Sequence, residues 1–417
     1  METKTRNSNA YLMKTILKIA WRNIWRNPLR SLIVISSILL GIWAGVFVVG
    51  FSYGLNKQRT FSTIANSVSH IQIHHPEFEK DEDVRYQIDN LDLVLNYLDA
   101  DTNIVAYSYR STINGMVGSA VKNKSVRING IDQYREKEVT QIHQKLSQGN
   151  YFEKKGRNPV VIGEALAKKL NVRLKSKIIL TFQDAEHSII SGAFRICGIY
   201  KTQSSKYDEL NVFILNKDLQ RLLGTSMYHE IAILCNSMES VDSTQQYLAS
   251  SLENLRVEDW KDLAPELAYA DEVMETWLLL IIAIIMLALI FGIINTMLMA
   301  VLERKRELGM LMAIGMNKSK VFAMILFETF FLSLIGGPAG ILFGYITIRS
   351  TSVSGINLSF WGAGLESVGL SSMVYPDINP KFYIYISAMV IITTLIASIY
   401  PARKALKLNP TEAIRTI

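Results

Sequence analysis

The chain has 417 residues, with 44 Lys and Arg against 37 Asp and Glu, a formal net charge of +7, and two cysteines. Hydrophobic residues make up 49% of it, which excludes a disordered, collagen-like or disulfide-scaffold protein. The apolar residues gather in long uncharged runs, so the positive balance is not one basic soluble face and implies no nucleic-acid partner.

Crossing about 30 Å of hydrocarbon takes roughly 20 predominantly apolar residues as helix, and four stretches qualify. Residues 1–30 precede the first and read as an interfacial amphipathic helix. Ile16, Ile19 and Ile24 form its apolar side, and Trp21, Arg22, Trp25 and Arg26 anchor it at headgroup depth. The first span, 31–56, lies in the uncharged run between Arg30 and Lys57. It is too long for a signal-peptide core, and no small-residue cleavage site follows. Gly41 and Gly45 give it a face for close helix packing. Gly50-Phe51-Ser52-Tyr53-Gly54 matches G-x-S-x-G, but a nucleophile elbow joins a strand to a helix. Here the motif ends a membrane helix and reads as packing.

Residues 57–275 read as an α+β domain. Val68–His75 alternates as a half-buried strand, Ile88–Leu98 has helical spacing, and Ile104–Tyr109 is strand-like. Later, Glu230–Cys235, Val241–Leu252 and Leu255–Trp260 repeat that strand, helix, strand order. Two such units suggest a split ferredoxin-like lobe. Between them, Pro159–Gly163, a helix Glu164–Leu170 and strands near 177–183 and 189–200 form a second, mostly β lobe. His70, His74 and His75 read as a solvated strand rather than a metal site, because no acidic or Cys partner is spaced for one. Cys197 and Cys235 read as buried free thiols, although a disulfide is chemically allowed outside the cytosol.

The second span, 276–302, contains Asn295 and Thr296. It is followed by 303–319, which holds Glu303-Arg304-Lys305-Arg306-Glu307-Leu308-Gly309-Met310-Leu311-Met312-Ala313-Ile314-Gly315. Gly309 permits a break, Leu308, Leu311, Met312 and Ile314 form an apolar stripe, Gly315 is the expected C-cap, and Ser319 caps the third span. Such a helix beside the membrane suits docking into a partner's groove. Gly309–Ser319 is not a phosphate-binding loop, since it lacks the Gly-Lys-Ser/Thr ending and a preceding strand. The third span, 320–348, has one charge, Glu328, expected to face the bundle near Asn295 or Thr296. Gly336, Gly340 and Gly344 give a small-residue face, and Pro338 is expected to bend the helix. A loop at 349–381, the fourth span at 382–402 and a terminal helix at 403–417 complete the chain. Asn409, Pro410 and Glu412 resemble a capped helix start, and Pro401, Arg403, Pro410 and Glu412 are read as support for the helix after the second span.

Lys and Arg counts near the span ends set the orientation. Residues 1–30 hold seven basic and one acidic residue, 303–320 five and two, and 401–417 four and one. These segments are expected in the cytoplasm. Residues 52–275, with 26 basic and 30 acidic residues, and the loop 349–381 are expected outside. The fold expected is membrane α-helical, with four transmembrane helices and one large extracytoplasmic α+β domain.

The segment ERKRELGMLMAIG resembles the signature after the second span of FtsX-like permeases, the type VII ABC-transporter membrane subunits. Ile294–Met297, Pro401–Ala405 and Pro410–Arg415 resemble the same family, in order and at the matching membrane edges. The resemblance implies that Glu303, Arg304, Arg306, Glu307, Leu308, Gly309, Leu311, Ala313 and Gly315 couple to a separate cytosolic ATPase dimer that binds ATP and Mg. It implies no cofactor, metal or catalytic residue in this chain. It also implies a second permease copy, a bacterial inner-membrane location, and porter and sabre lobes of the MacB type. Ser69–His74, Val160–Leu174 and Ile356–Pro376 resemble the lipoprotein-releasing, Lol-type branch. That branch implies a lipoprotein substrate taken from membrane lipid and passed to a periplasmic carrier. Macrolide-exporter permeases carry a fused N-terminal ATPase, which this sequence does not show. Ser176 departs from the family, where Gly is usual. The alternatives are a transmitter that regulates an outer hydrolase without transport, and export of peptides or small molecules with an outer-membrane partner.

Overall fold

The computed structural model describes residues 15–152 and 158–407. The chain forms two compact units, 1–54 with 273–356 and 375–417, and 55–272 with 357–374.

The first unit is a helical bundle. Among the described residues, four helices are long and apolar enough to cross a membrane: Pro28–Val68, Pro265–Glu303, Lys318–Ser354 and Lys381–Leu406. The α-helical part of the first, Pro28–Thr63, runs seven residues past the expected end of its span, and the second begins eleven residues before 276. Lys57 and Arg59 end the apolar run, but nothing in their chemistry ends a helix, so the backbone continues through them. A shorter helix, 15–26, precedes the first span and buries Ile16, Ala20 and Ile24.

Small residues bring the third span against the first. A Cβ on Gly336 would lie 3.0 Å from the Ile35 carbonyl, on Gly340 2.8 Å from that of Leu39, and on Gly344 2.6 Å from Val46 Cγ1. Gly41 faces the second span instead, where a Cβ would overlap the Leu289 side chain at 2.1 Å. Ile38, Ile42, Ile282, Ile293, Leu332 and Ile386 fill the space between the helices. The third helix continues unbroken through Pro338.

Among the described residues, the second unit holds a ten-stranded sheet. Its strands are β1 Ile71–His74, β2 Ile104–Gly118, β3 Asn123–Ile131, β4 Leu146–Gly149, β5 Pro159–Gly163, β6 Lys177–Gln183, β7 Ile189–Tyr200, β8 Asn211–Leu215, β9 Glu230–Cys235 and β10 Arg256–Asp259. One lobe has the antiparallel order β10-β1-β9-β2, with helices Leu91–Ala100 and Val241–Ser251 as crossovers. That is the split β-α-β order expected of a ferredoxin-like lobe. Ile71, Ile73, Val94, Leu98, Ile231 and Leu248 form its core. The other lobe runs β3-β8-β5-β7-β4, with β6 bridging β2 and β7. Its core is built on Val160, Ile162, Leu166, Phe194, Val212 and Ile214.

The 15-residue β2 joins the lobes. Ile104–Arg110 pairs with β9, and Ser111–Gly118 pairs with β3. The sequence pattern marks only the first six residues of this strand. In its second half, buried Ser111 and Thr112 break the apolar alternation.

Candidate functional site

The Glu303–Gly315 signature folds as a separate helix, Lys305–Ala313. The break falls at Arg304, outside the helical region at φ −98° and ψ 16°, and not at Gly309. Gly309 is buried inside the helix. Gly315 takes φ +101° and Met316 N donates to the Leu311 carbonyl at 2.9 Å, the left-handed C-terminal turn expected of a glycine. The next helix is capped by Asn317, whose side chain accepts from Ser319 N, so Ser319 is not the cap.

Two faces separate on this helix. Leu308 is buried, and Leu311, Met312 and Met316 pack beside it against the bundle core. The stripe expected to meet a partner therefore mostly seats the helix. The free face carries Arg306, Met310, Ala313 and Ile314, at i, i+4, i+7 and i+8. Met310 is 54% exposed and Ile314 79%. Unspecialised surface has little reason to hold two such side chains together beside a cation.

The charged residues mostly point back at the chain. Arg26 pairs with Glu307, Arg30 pairs with Glu303, and Arg304 Nε lies 3.3 Å from Glu307 Oε2. Hydrogen bonding from Arg26 holds the Glu307 carboxyl below its ordinary value. Arg304 Nη1 reaches both oxygens of Glu328, at 3.0 and 3.1 Å. Glu328 is therefore an ion-pair partner of the signature and does not bond Asn295 or Thr296. Thr296 bonds its own helix, through the Gly292 carbonyl at 2.9 Å. A half-buried carboxylate in a span needs a cation, and Arg304 is long enough to supply one from the helix end. Trp21 packs edge-on against Phe331 at 5.5 Å, Trp25 is exposed, and Arg22 lies between them in sequence on the same exposed side. Pro401 is buried within the fourth span's helix and Arg403 is exposed. Pro410 and Glu412 lie outside the described residues.

Gly50 and Gly54 are packing positions. Asp377 N donates to the Gly50 carbonyl at 3.0 Å, and a Cβ on Gly54 would lie 2.5 Å from the Tyr375 carbonyl.

A second constellation, which the sequence did not single out, stands in the sheet unit. The helix Pro28–Thr63 passes into a π-helical turn, Ile64–Val68, and Ser69 follows at φ 60° and ψ −165°, a strained backbone for a residue with a Cβ. Three groups hold that turn. Gln141 N donates to the Ala65 carbonyl at 3.0 Å, Tyr207 Oη to that of Asn66 at 2.7 Å, and Arg110 Nη1 to that of Ser67 at 3.4 Å. Arg110 is buried between Glu136 (2.8 Å) and Glu230 (2.6 Å), and Arg127 adds a contact to Glu230 at 3.2 Å. Burial alone would raise the Glu230 carboxyl, but Arg110 and Arg127 hold it below its ordinary value. The detectable signals were Arg110 and Glu230, charges inside otherwise apolar strand patterns.

The histidine strand is not solvated. β1 lies between β10 and β9, all four of its residues are buried, and His74 Nε2 lies 2.6 Å from Glu258 Oε2. His70 Nδ1 accepts from Cys235 N at 2.9 Å. Cys197, half-buried, and Cys235, buried, are both free. Burial pushes the Cys235 thiol up to about 11. At the departure from family pattern, the left-handed residue is Lys175 (φ 69°), so Ser176 bears no unusual φ. Among the described residues, no group of three or more His, Cys, Asp or Glu could hold a metal ion.

Comparison with known proteins fits this division. The FtsX-like permease C-terminal family matches residues 279–410, and the MacB-like periplasmic core domain matches residues 31–251. An uncharacterized ABC transporter permease of Methanocaldococcus jannaschii is 23% identical over 412 residues, 96% of this chain and 97% of that one. The lipoprotein-releasing system transmembrane protein LolC of Neisseria meningitidis is 20% identical over 410 residues, 92% of this chain and 94% of that one. The macrolide export ATP-binding/permease protein MacB of Hahella chejuensis is 24% identical over 426 residues, 95% of this chain and 59% of that one. The chain belongs to the FtsX-like ABC transporter permeases, with a MacB-like periplasmic core domain between its first two spans.

Proposed function

We propose that this permease converts ATP-driven motion of a cytosolic ATPase dimer into release of lipoproteins from the outer leaflet of the inner membrane. The observation that carries the coupling half is the free face of helix Lys305–Ala313, with Met310 and Ile314 exposed and the opposite face seated on the bundle. A short helix tied to Arg26 through Glu307 presents a rigid apolar pair for a groove on the ATPase. The family works with such an ATPase and usually dimerises, so a second permease copy completes the assembly. The basic segments at 1–30, 303–320 and 401–417 support a cytoplasmic position for this end. The substrate half rests on the LolC relative of Neisseria meningitidis, which aligns along 92% of this chain. In this reading a periplasmic carrier receives the product.

The test uses the full chain and its ATPase in vesicles loaded with an acylated protein. Met310→Asp with Ile314→Asp is expected to abolish ATP-dependent release while membrane insertion persists. Release at the parent rate would sink the coupling assignment. If coupling holds but acylated protein is never released, the substrate assignment alone fails. Export of a peptide or small molecule is the second reading, favoured by the MacB relative that spans 95% of this chain.

A further inference from the structure

The loop after the third span has an apolar tip that none of these roles uses. Between Arg349 and Glu366 the sequence has no charged residue. Within that stretch Phe360 is 92% exposed and Trp361 63%. Their rings meet edge to face at 5.6 Å. The turn is fixed from within. Asn357 Oδ1 accepts from Ser359 N at 2.9 Å, and Trp361 N donates to the Leu358 carbonyl at 2.9 Å. Glu366, where charge resumes, is tied to Lys201 at 3.0 Å. Two large aromatics are thus held ready in water, and little further ordering is needed before they bind something apolar.

The chain on either side says what that is. Residues 375–377 lie against Gly50 and Gly54, the last turns of the first span's uncharged run, which ends at Lys57. Leu358 N donates to the Ser372 carbonyl at 2.7 Å, so the turn is rooted beside Ser372. Three residues from Ser372 to Tyr375 reach at most about 10 Å. The root of the aromatic turn is therefore close to the level where lipid headgroups begin, at the end of the bundle opposite the Lys305–Ala313 helix. Trp and other aromatic rings without charged neighbours are the residues that settle in this layer.

We propose that the Phe360–Trp361 turn is a lipid-inserting wedge, seated in the headgroup layer of the leaflet at that end of the bundle. It makes the loop a second membrane attachment, independent of the four spans and of which cargo is moved. The partner is the lipid surface, and a second copy of the chain or a cargo protein is the competing occupant.

The full chain is placed in nanodiscs containing phosphatidylcholine that bears a nitroxide near the headgroup or near the acyl end. Subtracting the emission of Trp361→Phe from that of the parent isolates Trp361. With the shallow nitroxide, at least about half of that difference emission is expected to be lost, with less loss for the deep one and little to aqueous iodide. Phe360→Asp is expected to reverse the pattern, leaving Trp361 open to iodide. Loss to iodide with no loss to either lipid nitroxide in the parent would overturn the proposal. Protection from all three quenchers would overturn it too, because protein would then cover the tip.

Discussion

Arg110 shows what a single buried cation does in this sheet. It sits where β2 changes partners, and its guanidinium satisfies two carboxylates and a carbonyl of the π-turn. Truncating it would leave Glu136 and Glu230 buried without their cation. Removing one partner of such a pair costs about 3–5 kcal/mol. Arg110→Ala is therefore expected to lower the melting temperature of the full chain clearly. Adding Glu136→Gln and Glu230→Gln should recover part of the loss, and a variant that melts like the parent would contradict the network. Asp208 carries a different signal. Burial pushes its carboxyl up to about 6, although Thr202 donates to it from both its backbone and its hydroxyl. A raised carboxyl favours the protonated form in the folded state, so the folded chain holds more protons than the unfolded one between about pH 4 and 6. Stability from this group is present at low pH and falls as pH rises through about 6. Asp208→Asn should flatten that part of the melting-temperature profile, and an unchanged slope would refute the assignment. At this scale the sequence was least legible. Glu328 was expected near Asn295, yet a long Arg304 side chain reached it first. His74 was expected in water, yet β10 added to the β1 edge and buried it. In both cases the deciding neighbour lies far along the chain.

The elements were more legible, because their causes are local. β5, β6, β7 and β9 and the helix Glu164–Leu170 end where turn residues and a change of periodicity place them. The signature helix was legible as a helix but not in its orientation, since periodicity names an apolar face without saying what covers it. Leu308 and Leu311 meet the bundle, and Met310 and Ile314 remain outside. The glycine face of the third span was legible in type. The structure adds its partner, because the Gly336, Gly340 and Gly344 positions all meet the first span. Gly340→Leu must displace the Leu39 carbonyl or Ile42, and overpacking of that kind costs about 1–3 kcal/mol. The expected result is faster loss of the folded bundle in detergent on heating, whereas Gly292→Leu, with nothing near its Cβ position, should be tolerated. Equal sensitivity of the two variants would mean that the glycine face does not hold the helices together.

For the whole molecule, the +7 net charge separates into +12 on the three basic segments (7−1, 5−2 and 4−1, each as counted from the sequence) and −5 elsewhere. The structure gives part of that positive charge a second use. Arg26, before the first span, pairs with Glu307 on helix Lys305–Ala313, and Arg30 pairs with Glu303 at the end of the second span. Arg304 extends the chain of charges to Glu328 on the third. A push on helix Lys305–Ala313 therefore has an ionic path to three spans, beside the apolar one through Leu308. Exposed ion pairs add little stability singly, so their loss should leave the fold intact while loosening the linkage. Arg26→Glu with Arg30→Glu is expected to leave ATP hydrolysis by the assembled transporter running while release in vesicles falls. Adding Glu303→Arg and Glu307→Arg restores opposite charge across the same contacts and returns the removed positive charge to the same membrane edge. The combined variant should therefore keep its topology and recover release. Labelling of cysteines placed at either terminus checks the topology. If the combined variant inserts correctly and hydrolyses ATP but releases no more than the first pair, these ion pairs do not carry the motion.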